Sequence, residues 1–277
     1  MTRWIVQYEF TQSWIVLSQK TMITANTEWP VLCAQLCAHQ DAFAEWASRA
    51  RTDGAVAYLD KPEGWTSFDC VARLRSTLKQ RRVGHAGTLD PLATGVLVIC
   101  LGKATKAVRQ YQETTKTYTV VGKLGATTPT DDRGSAEEVN PQATIRMQEI
   151  SAPEIADALQ EFVGEQVQIP PTYSAIKHSG KPQYTLARNG REFVVRPRII
   201  SIYSITDVTV SLPFVSLTME CSSGTYVRSV IRDLGAKLGV GGYVWQLRRT
   251  RVGEVYERQT ITMQTYNTLV TTSEVYS

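Results

Sequence analysis

From Gly54 onward, strand-like and helix-like patterns follow one another without a regular strand–helix–strand rhythm, and several connections are long and basic. A doubly wound parallel sheet needs that rhythm, because each parallel strand is reached through a crossover connection. Its absence favours the α+β class. The 277 residues are enough for one large domain or one domain with an appendage.

Individual segments carry clear local signals. Residues 55–59 are a short apolar run typical of a buried strand, and Thr66 or Ser67 is positioned to cap the helix that follows. Residues 96–101 are a second apolar strand. Apolar side chains alternate along residues 118–124, which predicts a strand with one buried face.

Residues 1–53 differ from the rest of the chain. They contain four of the six tryptophans and only one helix-like stretch, about Val31 to Ala50, whose apolar period is poor. We interpret this segment as an N-terminal extension of unknown role that precedes a domain beginning at Gly54.

The charge is unevenly distributed. The formal net charge is only +4, which by itself does not indicate a nucleic-acid partner. Residues 177–198, however, contain six lysines and arginines against one acid, and smaller basic clusters occur at residues 79–82 and 248–251. Any one cluster alone is better explained as a solvated face. The three together favour RNA or DNA, because local positive charge attracts a polyanion whatever the overall balance.

The five cysteines are odd in number and lack the spacing of a zinc site, so they predict free thiols in a reducing compartment. No apolar run approaches the roughly 20 residues that span a bilayer. The N-terminus lacks the pattern of a secretory signal. These features predict a cytoplasmic protein without a membrane span.

The loop of residues 84–95, GHAGTLDPLATG, contains a carboxylate, a histidine and three glycines. Its glycines permit close approach of the backbone to a ligand, and Pro91 disfavours helical geometry at Asp90. Composition alone still favours a plainer interpretation, in which Asp90 caps the next turn and His85 lies on the surface.

Six ordered motifs across residues 54–255 decide between these interpretations. They are Tyr58–Gly64, Gly84–Lys106, Lys116–Tyr118, Pro170–Lys177, Cys221–Arg228 and Leu247–Thr250. In order and spacing they resemble the TruB family of pseudouridine synthases, and six such matches are far more specific than one. The resemblance implies the pseudouridine synthase fold, with a mixed, mostly antiparallel central sheet flanked by helices and a basic RNA-binding insertion. It also implies isomerisation of uridine to pseudouridine in RNA with no cofactor and no metal.

The resemblance also implies roles for individual residues. Asp90 would be the catalytic nucleophile, or the base of a glycal route; the sequence leaves this choice open. Arg228 would be the cation that stabilises the ionised carboxylate, and Tyr118 would stack on the extruded uracil.

Four further residues would bind the substrate. Tyr226 would contact the target nucleotide and would share a face with Arg228 if the preceding strand persists. Leu247 would form a pocket wall, and His85 would enter the RNA loop from which the nucleotide is flipped. Lys61 would support the pocket rather than take part in the chemistry.

The expected substrate is uridine 55 in the T arm of tRNA, bound by a monomer with no obligatory protein partner and no membrane contact. Residues 177–198 would be an RNA-clamping insertion within a catalytic domain spanning residues 54–255. Its expected RNA contacts are Lys177, Lys181, Arg188 and Arg191. Residues 256–277 form a short tail, whereas bacterial members commonly continue into a full PUA-type RNA-binding module.

Two other functions compete with this one. The chain could bind or fold tRNA with its activity secondary or lost, but the presence of both Asp90 and Arg228 argues against that loss. It could also be a relative that depends on a guide RNA. Such relatives usually need partner proteins and a PUA module.

Overall fold

A computed structural model describes residues 29–38, 40–174, 177–178, 181–182 and 195–273 of the chain. Its strands are β1 (Val31–Leu32), β2 (Gly54–Lys61), β3 (Val83–His85), β4 (Thr94–Gly102), β5 (Lys116–Leu124), β6 (Gly164–Gln168), β7 (Lys177–His178), β8 (Lys181–Pro182), β9 (Arg198–Ser211), β10 (Phe214–Cys221), β11 (Gly242–Val252), β12 (Val255–Tyr256) and β13 (Ile261–Thr262). Its α-helices are α1 (Gln40–Thr52), α2 (Ser67–Thr77), α3 (Val108–Gln112), α4 (Pro141–Glu149), α5 (Ala152–Gln160), α6 (Val227–Lys237) and α7 (Met263–Thr272). Short 3-10 helices cover Leu36–Ala38, Lys103–Ala107 and Glu257–Gln259.

Eleven of the described strands form one mixed sheet, with the central order β1-β2-β4-β11-β5-β10-β9-β6. Neighbours from β11 to β6 pair antiparallel, as do β2 and β4. The pairs β1–β2, β4–β11 and β13–β2 are parallel. The α+β class and the mixed, mostly antiparallel sheet flanked by helices are therefore confirmed.

Two groups of helices cover the two halves of this sheet. Helices α1, α2 and α7 bury apolar side chains against β2 and β4. Helices α5 and α6 do the same against β5, β9 and β10. The halves meet where β4 and β11 pair in parallel over a short register, Arg248 opposite Thr94 and Arg249 opposite Gly95.

Gly95 explains why the two strands can approach so closely at this junction. A Cβ atom at this position would lie 2.2 Å from the carbonyl oxygen of Arg249, and the residue has a φ of +100°. Only glycine satisfies both conditions without strain. The loop that carries Asp90 enters β4 at this end of the strand.

The single helix expected over Val31–Ala50 is wrong in its first half. Val31 and Leu32 instead pair with β2 as a short strand, and the helix begins at Gln40. Trp46 anchors this helix, since its indole is fully buried and donates a hydrogen bond to the carbonyl of Val56 at 3.1 Å. The boundary expected at residue 53, like the other domain boundaries, stays a prediction.

Candidate active site

The loop before β4 is held by hydrogen bonds on both sides of Asp90. The hydroxyl of Ser67 accepts from the backbone N–H of Leu89 at 2.9 Å and donates to its carbonyl at 3.2 Å. The carbonyl of Pro91 accepts from the N–H of Gly64 at 2.9 Å and from the Lys61 ammonium at 3.1 Å. Asp90 therefore sits between two fixed residues, with its side chain 34% exposed.

Arg228 lies in the first turn of α6 and is 4% exposed. Its Nη2 donates to Oδ1 of Asp90 at 3.0 Å, and its Nε lies 2.8 Å from Oδ2 in an ion-pair contact. The Asp90 carboxylate is thus engaged by a buried arginine, and not by the backbone of the following turn. The contact places a permanent positive charge against the carboxylate, because an arginine side chain cannot be neutralised in a protein.

Two backbone carbonyls orient the same guanidinium. Nη1 of Arg228 donates to the carbonyl of Thr130 at 2.8 Å, and Nη2 donates to the carbonyl of Tyr173 at 3.0 Å. The expectation that Tyr226 and Arg228 share one face of a continuing strand is wrong. Strand β10 ends at Cys221, and Tyr226 is the residue that precedes α6, so Arg228 is helical.

A cavity of about 380 Å³ opens in front of the Asp90–Arg228 pair. Tyr118, Tyr226 and Leu247 line it together with Asp90 and Arg228. The rest of its wall mixes polar and apolar residues: Gly87, Thr88, Leu89, Gln112, Lys116, Ser222, Ser223, Gly224, Thr225, Val227 and Arg249. The cavity therefore joins one carboxylate, two aromatic rings and several hydrogen-bonding groups.

Tyr118 is 8% exposed on β5. Burial raises the pKa of its hydroxyl, while the Arg249 guanidinium that is hydrogen-bonded to it acts in the opposite direction. The hydroxyl therefore stays protonated near neutral pH. The ring is available to pack against a planar group, which suits stacking on a base.

Neither Lys61 nor His85 lines the cavity. The Lys61 side chain is fully buried and donates to the carbonyls of Pro62, Trp65 and Pro91 at 2.9, 2.5 and 3.1 Å. Burial lowers the pKa of Lys61 to about 8. His85 ends β3, and burial together with the charge of Arg249 lowers the pKa of His85.

Arg249 is a site residue that the sequence reasoning did not single out. It is 1% exposed and donates to the carbonyls of Val96 at 2.8 Å and Gly87 at 3.1 Å. Its neighbour Arg248 points the other way and pairs with Asp60 at 2.9 Å. The signal was present in the Leu-Arg-Arg motif, because successive residues of a strand face opposite sides.

Lys116 is the second residue that was missed. It is 5% exposed, lines the cavity, and donates to the carbonyls of Thr114, Gln112 and Tyr111 around the end of α3. Burial lowers the pKa of Lys116 to about 8. The Lys-x-Tyr motif pointed to this residue, since Lys116 and Tyr118 share one face of β5.

The expected RNA contacts are only partly covered by the structure. The backbones of Lys177 and Lys181 lie in the short hairpin β7–β8, while Arg188 and Arg191 lie outside the described residues. At the end of this region, the Arg198 guanidinium lies 5.4 Å from the ring centroid of Tyr226. A cation is therefore placed beside a residue of the cavity wall.

Within the described ranges, no group of three or more His, Cys, Asp and Glu side chains could hold a metal ion. All five cysteines are free thiols. The helices of the described residues include none that is long and apolar enough to cross a bilayer.

Comparison with known proteins identifies the family. Residues 75–227 match the model of the TruB family pseudouridylate synthase N-terminal domain, and residues 228–274 match that of the tRNA pseudouridylate synthase B C-terminal domain. The tRNA pseudouridine synthase B of Bacteroides fragilis is 43% identical over 209 residues, which cover 73% of this chain and 88% of the relative. That of Corynebacterium diphtheriae is 42% identical over 219 residues, covering 78% and 73%.

Solved structures agree on the fold. A chain in the crystal structure of a Cbf5-Nop10-Gar1 complex superimposes with a TM-score of 0.58 at 30% identity, over 79% of this chain and 54% of that one. A chain in an H/ACA RNP bound to a substrate RNA containing 2′-deoxyuridine gives a TM-score of 0.57 at 27% identity, over 78% and 53%. The present chain therefore spans about half the length of these two.

Proposed function

The chain belongs to the TruB family and is a tRNA pseudouridine synthase that isomerises uridine in tRNA; from that premise we propose that its target is uridine 55 of the T arm and that Asp90 is the catalytic nucleophile. The observation that carries the proposal is the Asp90–Arg228 pair at the wall of the cavity. It provides a partly exposed carboxylate that lines the cavity and is held by a buried arginine.

The reaction needs little besides that carboxylate. The bond between N1 and C1′ breaks, a bond between C5 and C1′ forms, C5 loses a proton and N1 gains one, so no electrons are gained or lost. Attack of Asp90 on C1′ would hold the ribose while the base turns. Arg228 would keep the carboxylate charged and aimed, because its own position is set by the carbonyls of Thr130 and Tyr173.

The cavity wall supports a role for three further residues in holding the base and the ribose. Tyr118 would stack on the extruded uracil, and Leu247 and Tyr226 would close the pocket around the nucleotide. A base within a stacked RNA loop cannot reach Asp90, so the nucleotide must first leave the stack. We assign His85 to the space that the nucleotide leaves, and Lys61 to support of the Asp90 loop.

Binding of the T arm would depend on phosphate contacts and shape. Lys177, Lys181, Arg188 and Arg191 supply the positive charge of the insertion, and contacts of this kind position a folded RNA without reading its sequence. The same proposal describes a monomer without an obligatory protein partner. The free thiols of all five cysteines suit a reducing compartment, which supports a cytoplasmic location.

The test is to map pseudouridine in unmodified tRNA after incubation with the purified chain. We expect one new pseudouridine at position 55, and none in a matched tRNA that carries cytidine at that position. Pseudouridine at another position, with uridine 55 unchanged, would reject the proposed target.

A further inference from the structure

Helix α6 begins at the cavity without a side-chain cap of its own. Tyr226 occupies the N-cap position but makes no side-chain hydrogen bond to the first turn. Tyrosine lacks the short side-chain oxygen that usually performs this role. The backbone of Tyr226 must therefore be fixed by another part of the chain, and its position matters because Arg228 follows two residues later.

Gln168 provides that restraint. This side chain is 5% exposed at the end of β6. Its Oε1 accepts from the backbone N–H of Tyr226 at 2.8 Å, and its Nε2 donates to the Tyr226 carbonyl at 3.1 Å. One amide thus binds both backbone polar groups of Tyr226, which belong to the two successive peptide groups on either side of its Cα, and so restrains the backbone conformation of this residue.

The residues after Gln168 continue the same contact with α6. The carbonyl of Ile169 accepts from the Ser229 hydroxyl at 2.8 Å and from Nη2 of Arg232 at 2.9 Å. The carbonyl of Tyr173 accepts from Arg228 at 3.0 Å. The segment 168–173 therefore contacts the first two turns of α6, through the buried side chain of Gln168 and the carbonyls of Ile169 and Tyr173.

We propose that Gln168 is a positioning residue that sets the first turn of α6, and thereby the placement of Tyr226 and Arg228 relative to Asp90. The inference rests on the proposed role of the Asp90–Arg228 pair. Gln168 does not line the cavity, so it acts on the reaction only through the residues that it holds. A small displacement of a catalytic group is sufficient to slow a reaction strongly.

Gln166 offers a matched control on the same strand. Its amide donates to the carbonyls of Phe162 and Glu161, close in sequence, and makes no described contact with α6. Gln168→Met and Gln166→Met therefore remove the same amide with little change of volume. We expect Gln168→Met to lower kcat about tenfold or more with the tRNA Kd within about twofold of wild type, and Gln166→Met to change neither.

Gln168→Glu adds a readout that a general loss of folding would not give. A protonated carboxylic acid has one O–H donor and one carbonyl acceptor, so it can reproduce both contacts to Tyr226, whereas a carboxylate cannot donate. Burial favours the protonated form. We expect the kcat of Gln168→Glu, relative to wild type at each pH, to rise as the pH falls from 8 to 6, while Gln166→Glu shows a flat ratio.

The inference is overturned if Gln168→Met has the kcat of Gln166→Met, or if the Gln168→Glu ratio is flat in a variant that melts like wild type. Pseudouridine formed at a position other than 55, or wild-type turnover by Asp90→Asn, would instead reject the proposed function, so the two failures are distinguishable.

Discussion

Asp90 and Arg228 are 138 residues apart in the sequence, yet Nη2 of the arginine donates to Oδ1 of the aspartate at 3.0 Å. The contact joins the loop that enters β4 to the first turn of α6, which are elements from the two halves of the sheet. It therefore forms only when both halves have folded and met at the β4–β11 junction.

Asp90→Asn should reduce pseudouridine formation by about 10⁴-fold or more, because removal of the proposed nucleophile leaves only the binding contributions of the site. Binding of tRNA should remain close to wild type, since the amide has the same shape and the cavity walls are unchanged. Single-turnover assays and filter binding measure the two effects. Turnover near the wild-type rate would remove Asp90 from the mechanism.

Arg228→Lys keeps the positive charge but loses the planar group that reaches Asp90 and the carbonyls of Thr130 and Tyr173 at once. We expect kcat to fall about 100-fold or more with little change in the tRNA Kd. Arg228→Ala should likewise impair activity more than folding, as measured by thermal melting. A lysine variant with wild-type kcat would show that charge alone is sufficient.

Tyr118→Leu should lower kcat/KM roughly 10- to 100-fold, because stacking of a base on an aromatic ring contributes about 1–3 kcal/mol. Tyr118→Phe keeps the ring and loses only the hydroxyl that is hydrogen-bonded to Arg249, so its loss should be smaller. Kinetic constants of the two variants make the comparison. Equal losses would assign the role of Tyr118 to its hydroxyl and not to its ring.

Lys61 should make the free energy of unfolding depend on pH above neutrality. Its folded-state pKa of about 8 lies below the ordinary value of 10.5, so between these pH values the unfolded chain binds the proton more strongly. The contribution of this residue to stability therefore rises as the pH increases from 8 to 10.5. Lys61→Met should lose that rise.

Urea unfolding of wild type and Lys61→Met at a series of pH values tests this prediction. The informative quantity is the difference in the free energy of unfolding between wild type and Lys61→Met at each pH. Lys116 and the buried thiols contribute equally to both proteins, so their contributions cancel in this difference. A difference that stays constant from pH 8 to 10.5 would contradict the assigned cause, which is burial of the ammonium.

Charge reversal of Lys177, Arg188 and Arg191 to glutamate should weaken tRNA binding and flatten its dependence on salt. If each of the three side chains contacts one phosphate, the plot of the logarithm of the binding constant against the logarithm of the salt concentration should become less steep. The magnitude of its slope should decrease by about 2 to 3 units. A control reverses Arg49, Arg51 and Lys103, which lie at the opposite end of β4 from Asp90. An unchanged slope in the first variant would remove the insertion from the interface.

The fold class and five of the sixteen residues that line the cavity could be predicted from the sequence. The strand over residues 118–124 and the cap at Thr66 are local patterns, which need only near neighbours. Ordered motifs identified Asp90, Tyr118, Tyr226, Arg228 and Leu247, and the structure brings these five residues to one cavity. Such motifs name candidate site residues, but they do not show where the folded chain places these residues relative to one another.

Only the tertiary structure decided which side chains of the motifs line the cavity and which do not. Lys61 and His85 belong to the motifs but do not line the cavity, whereas Arg249 and Lys116 do. The contact of Gln168 with Tyr226 joins residues 58 positions apart. Each of these placements depends on packing between distant segments, because a local pattern determines the direction of a side chain from its own strand or helix but not the partner that it meets.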